Sequence, residues 1–236
     1  MSHISLEELF RRSVTFPGPN LRMVGLQKVR EAIEEQLEHL KGQHTIRLDA
    51  RLKREARMMA DEDIEYEHHQ LKNIVDELFP KVLRGGFIVS LWSVFESCVK
   101  DLAEYTRLEK KLPFSLQELR AGNFLNQMDL FFSRTLSLTV FPDKNLRTRL
   151  DEIMNFRHAL AHHDGSVDKL PNSLHCKSES EYKSKGLYVY KDLHHSYAVP
   201  SAEYAKESLD SVKKFLENFS HQVYAALHPI PLEDNA

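Results

Sequence analysis

Apolar positions recur at three- and four-residue steps along nearly the whole chain, and this spacing predicts a mostly helical protein. Residues 5–12 predict a short helix, ended by the turn signals of Phe16-Pro17-Gly18-Pro19-Asn20. From Leu21 to Phe79 a loose stripe of Val24, Val29, Ile33, Leu37 and Leu40 continues the helical pattern, with a break expected at Gly42. The part from Arg47 to Glu67 is dense in both signs of charge, as a solvated helix laced with ion pairs is. Pro80 reads as a boundary, and Gly85-Gly86 should loosen the first turns of the helix that follows. Phe87 to Phe95 is then apolar nearly all round, the mark of a buried central helix, and the pattern continues through Cys98, Val99, Leu102 and Tyr105.

Pro113 ends that helix, and Ser115 with Glu118 three residues on forms a capping-box arrangement for a short helix to Arg120. Leu125, Met128, Phe132 and Leu136 mark an amphipathic helix over 124–138. Asp143 is a good N-cap for the next, which runs to His163. Residues 164–185 are polar and read as a loop. Two short β-like runs, Gly186 to Tyr190 and Ser196 to Val199, predict a small hairpin. A terminal amphipathic helix starts at Pro200-Ser201, and the tail from Pro229 should fray. The expected architecture is all-α: a charged helical region over 1–79, a helical bundle over 80–228 with the hairpin before its last helix, and a tail over 229–236.

Composition narrows the function classes. Hydrophobic residues make up 42% of the 236 and charged ones 28%, enough for a packed core under an ordinary polar surface. The formal net charge of −3 argues against broad electrostatic adhesion to nucleic acid or anionic membranes, though not against a local basic pocket. No uninterrupted apolar run reaches the roughly 18 residues that span a bilayer. The N-terminus has no apolar signal segment, so a cytoplasmic protein is expected. Two cysteines, Cys98 and Cys176, read as free thiols.

The candidate chemistry lies in Asn155-Phe156-Arg157-His158-Ala159-Leu160-Ala161-His162-His163-Asp164-Gly165. Leu146, Leu150, Ile153, Arg157, Leu160 and Ala161 share one helix face, which puts a guanidinium inside an apolar stripe. Burying an unpaired charge costs several kcal/mol, so Arg157 needs a partner, either an acid on a neighbouring helix or a ligand. His162 and His163 sit at the helix end, where the backbone dipole favours a charged imidazole and Arg157 opposes it. A histidine held near neutrality suits proton transfer. On a straight helix Arg157 and His162 point about 140° apart, so one site must use the long arginine, a frayed end or a second subunit. Glu96 and Lys100, four apart, fit a surface ion pair; alternatively Glu96 orients Arg157 or a histidine. His158 and His162 share a face, but no acid sits in that stretch, no C-x-x-C exists, and neither a metal nor a cofactor is expected.

Arg157, a polar residue after it, and His162 at the required distance resemble the Arg-x(4–6)-His signature of the HEPN superfamily; His163 also satisfies the spacing. The segment Phe87 to Leu102, with Trp92 and then Phe95-Glu96, looks like the helix preceding the motif in one branch of that superfamily. The resemblance covers roughly residues 70–225. It implies a helical bundle, often a homodimer, whose active members are metal-independent endoribonucleases of toxin–antitoxin or anti-phage defence systems, some with a neutralising partner protein. In that case a histidine takes the proton of a ribose 2′-hydroxyl, which attacks the adjacent phosphate, and the arginine holds the phosphate oxygens. The resemblance makes Arg157 the clamp and His162 the base, with His158 as polar partner and His163 as substitute. The other class of function is a non-catalytic module of the same fold that binds RNA, a nucleotide or a partner protein.

Overall fold

The computed structural model describes residues 19–55, 65–66, 69–70, 73–191 and 195–229. It is mostly helical, with one two-stranded hairpin before the C-terminal helix. The elements are α1 (Pro19–Glu55), α2 (Phe79–Glu109), α3 (Phe124–Leu136), α4 (Lys144–His163), α5 (Glu179–Ser184), β1 (Leu187–Lys191), β2 (Ser196–Pro200) and α6 (Ala202–Leu227). Short 3₁₀ turns lie at Leu116–Glu118 and Val167–Lys169, and a π turn at Ile74–Leu78. The expected helix at 5–12, much of the charged stretch to Glu67, and the tail beyond Pro229 lie outside the described residues.

Several local signals have the expected outcome. Asp143 Oδ1 accepts from the backbone N–H groups of Asn145 and Leu146, capping α4. Ser115 and Glu118 close both halves of the capping box. The hairpin pairs Leu187 with Pro200 and Lys191 with Ser196, antiparallel.

Three expectations are corrected. Helix α1 runs unbroken through Gly42, where a side chain would meet nothing; an exposed glycine costs about 1 kcal/mol, too little to stop a long helix. Pro80 does not separate two helices. The π turn at Ile74–Leu78 leads directly into α2, whose second residue is Pro80. Proline lacks the N–H that an α-helical turn would use and crowds the carbonyl four residues back; the wider π turn relieves both. The polar segment 164–185 is partly folded: the second 3₁₀ turn and α5 lie in it, and Leu170, Leu174 and Tyr182 are buried.

The contacts divide the chain into two units, one of residues 1–25, 91–151 and 209–236 and the other of 26–90 and 152–208. Helices α1, α2, α4 and α6 contribute a segment to each. In the first unit Trp92, Phe95, Phe131, Phe132, Phe215 and Phe219 build an aromatic core. Trp92 lies 4.7 Å from Phe95 and Phe132 lies 4.8 Å from Phe219, centroid to centroid. Arg22 fastens the start of α1 there, with its guanidinium 2.9 Å from Asp101. Over Ile74–Glu109 one 18-residue window is apolar enough to cross a membrane by length and composition, but 44% of it is buried inside the protein. Leu91, Trp92, Phe95 and Val99 on it are fully enclosed, which is how a central core helix passes the same test.

In the second unit Phe87, Ile88, Ile153, Phe156, Ala159 and Tyr204 form the core. Phe156 meets Tyr204 edge to face at 5.2 Å. Arg84 of α2 and Glu34 of α1 form a largely enclosed two-pronged pair, with Nε 2.9 Å from Oε1 and Nη2 2.5 Å from Oε2. This unit holds the end of α4.

Candidate functional site

The buried face of α4 within the second unit is Ile153, Phe156 and Ala159, all without exposure. This rotates the stripe from the one the spacing suggests. Phe156 carries more apolar surface than any other side chain here and turns its face to Tyr204. Ala161 is exposed, and Arg157 sits half-buried at the edge of the stripe rather than in its middle. Its stem is covered, as arginine stems commonly are beside apolar surface. Its Nε is buried without a hydrogen-bond partner. Among the described residues no acid pairs with it, so the internal ion pair that would make it a structural arginine is not formed.

His158, His162 and His163 are exposed beside it. The His158 ring lies 4.7 Å from that of His162 and 5.5 Å from that of His163. The resemblance makes His162 the base; the geometry puts His158 at the centre of the group. Its pKa is held below the ordinary imidazole value of 6.5, first by partial removal from water and then by the neighbouring His162, His163 and Arg157. Four groups that are, or become, cationic thus crowd two turns of helix. Such a patch suits an anion, because any anion that settles on it relieves the mutual repulsion.

The helix end under this patch is fixed from three directions. Asp164 and Gly165 both take positive φ, 51° and 73°. The N–H of Gly165 donates to Ala159 O at 3.0 Å, and that of Ser166 to His163 O at 2.8 Å. Ala198 N–H donates to Gly165 O at 2.8 Å, so β2 of the hairpin is hydrogen-bonded to the turn. A Cβ on residue 165 would lie 2.9 Å from Ala198 O, which leaves room only for glycine. Lys81, near the start of α2, reaches Asp164 Oδ2 at 2.6 Å with its Nζ 3.9 Å from the Tyr197 ring centre. Leu160 packs on Gly85 and Gly165, each site allowing an added Cβ 3.4 Å from its Cδ2. A Cβ at Gly85 would make an ordinary contact and one at Gly86 would meet nothing, so the pair is not needed for close approach, and α2 runs unbroken through it.

Lys81, Asp164 and Tyr197 were not singled out by their pattern in the sequence, and no local signal joins positions 83 residues apart. Glu96 lies in the first unit, where its carboxylate accepts from Trp92 Nε1 at 2.8 Å and meets Lys100 Nζ at 3.4 Å. Both partners are four residues away on the same helix, as a helix-surface pair requires. Among the described residues no three histidine, cysteine or acidic side chains converge as a metal site does, the three histidines included. Cys98 and Cys176 are both free. No family model, curated protein or solved structure matches this chain.

Proposed function

We propose that the chain is a metal-independent endoribonuclease of HEPN type, acting as a homodimer in a toxin–antitoxin or anti-phage defence setting. The observation that carries this reading is the state of Arg157, a half-buried guanidinium with no acid partner among the described residues, beside three exposed imidazoles. An arginine kept for structure would be expected to be neutralised internally; one kept for phosphate is left open. Arg157 would hold two non-bridging oxygens and stabilise the charge that builds on them as the 2′-oxygen attacks. A neutral imidazole, His162 or the more central His158, would take the hydroxyl proton; the P–O5′ bond breaks, the leaving 5′-oxygen takes a proton from a second, protonated imidazole or from water, and the products would be a 2′,3′-cyclic phosphate and a 5′-hydroxyl.

A second reading is favoured by one observation. His158, His162 and His163 make no hydrogen bond to any described residue, so none of those residues fixes the tautomer of a base. A surface that only binds RNA, a nucleotide or an acidic partner needs no such orientation. Across a two-fold axis the second copy would supply what one chain lacks, and the nuclease reading requires that dimer.

The test is cleavage of a fluorescent single-stranded RNA in EDTA by the wild type, Arg157→Ala, His158→Ala and His162→Ala, with oligomeric state read by sedimentation. Metal-independent cleavage that falls at least 100-fold in Arg157→Ala and in one histidine variant supports the nuclease. RNA binding without cleavage, weakened in Arg157→Ala, supports the second reading. Cleavage retained in all three variants removes these residues from the activity.

A further inference from the structure

We propose that a separate cavity in the first unit, formed where the 140–142 loop and the start of α4 meet α6, binds a small ring-bearing organic anion. Its volume is about 350 Å³, at the lower end of the range of small-molecule sites. Val140, Phe141, Leu146, Phe215 and Phe219 supply the apolar wall. The aromatic part of that wall is stacked. Phe141 stacks on Phe215 at 5.4 Å, Phe215 on Phe219 at 5.2 Å, and Arg147 covers Phe141 at 4.3 Å from its ring centre. A wall already stacked in this way lowers the ordering cost of binding.

The rim gives the ligand its sign. Lys214, Asn218, His221 and Gln222 follow one another along α6 and open on the cavity. Among the described residues none of the four makes a hydrogen bond or ion pair, so their polar groups are uncommitted. Asp143, the acid that lines the cavity, turns Oδ1 to the Asn145 and Leu146 amides and so caps α4, where the N-terminal end of the helix dipole offsets its charge. At the exposed mouth of the apolar wall this places one ammonium, one imidazole and two amides beside the capping carboxylate. The complementary molecule has a flat or compact apolar body that fills the wall and one carboxylate at its edge, paired with Lys214 and within reach of the amides. A purely inorganic anion would leave the apolar wall uncovered, and a neutral ring would leave the ammonium without a partner.

The experiment is an amide-resolved NMR titration of the full chain with indole-3-acetate, its neutral counterpart tryptophol, and inorganic phosphate. Indole-3-acetate is expected to shift the amides of 140–146 and 214–222 and to bind about tenfold more tightly than tryptophol, the equivalent of about 1.4 kcal/mol for one charge-assisted contact. Phosphate should give no saturable shift there. Lys214→Ala, at an exposed position, should reduce indole-3-acetate to the affinity of tryptophol, and Asn218→Trp should block both by filling the cavity. Equal affinity for the charged and neutral probes overturns the proposal. So do phosphate binding as tightly as indole-3-acetate, shifts confined to other residues, or a Lys214→Ala variant that binds like the wild type.

Discussion

Two arginines of the second unit, Arg84 and Arg157, show how alike side chains are used differently. Arg84 lies between α1 and α2 and gives two of its nitrogens to Glu34, with both side chains mostly covered. Arg157 lies at the end of α4, covers its stem in the same way, and has no acid. A buried nitrogen without a hydrogen bond does not by itself mark Arg157, because Arg30 Nε is in the same state. What sets Arg157 apart is its company of three imidazoles. Breaking each arginine separately sharpens the contrast. Glu34→Ala strands a covered guanidinium and should cost about 2–3 kcal/mol of stability while leaving RNA cleavage of the folded protein unchanged. Arg157→Ala should cost under about 1 kcal/mol, since no ion pair is lost, yet reduce cleavage at least 100-fold. Chemical denaturation beside the RNA assay reads both quantities; a large stability loss in Arg157→Ala would make it a second Arg84.

The same contrast extends to how each region is held. The Arg84 seam joins two long helices through a largely enclosed ion pair, whereas the Arg157 region depends on a turn. Gly165→Ala places a Cβ against Ala198 O and forces a positive φ on alanine, so a loss of about 2 kcal/mol is expected. For a chain of this length that lowers the melting temperature by several degrees. Lys81→Met removes both the ammonium over the Tyr197 ring and the contact to Asp164, which is largely exposed and screened; about 1 kcal/mol is expected. Hydrogen exchange should quicken at the amides of Gly165, Ser166 and Ala198, which the turn protects, and stay unchanged along α3. Equal quickening in both places would mean that Lys81 supports the whole protein rather than the helix end.

What the sequence makes legible follows from how far each signal reaches. Asp143 and Ser115–Glu118 act over three residues, so their caps could be read directly. The hairpin could be read because its two short runs are rich in aromatic and β-branched residues and lie close in sequence. The Trp92 helix could be read because its core is continuous. The π turn before Pro80 was not legible, since a change of hydrogen-bond step leaves the apolar spacing almost as it was. Leu170, Leu174 and Tyr182 were hidden by sparse placement in a polar stretch, where no period can form. At the site, the residue types Arg157, His158, His162 and His163 stood out together, but the setting of Arg157 depended on Phe156 claiming the buried face. Lys81 with Asp164 is a long-range pairing that only the folded chain creates.

The smallest expected effect tests whether the imidazoles and Arg157 form one electrostatic group. His158 has its pKa depressed, with Arg157 among the charges responsible. Arg157→Ala should therefore raise the His158 value, read from the pH dependence of its ring-proton shifts. The sign for stability follows from the same shift. The folded protein holds this proton less tightly than the unfolded chain, so stability rises with pH between the depressed value and 6.5 and is lost as pH falls through that window. An RNA phosphate seated on the patch would reverse the shift, because the anion favours the charged ring. RNA binding should then take up protons and tighten as pH falls towards 6, in a buffer-dependent calorimetric titration. A His158 pKa that ignores both Arg157→Ala and added RNA would break the group apart, leaving three separate surface histidines beside an arginine with a different purpose.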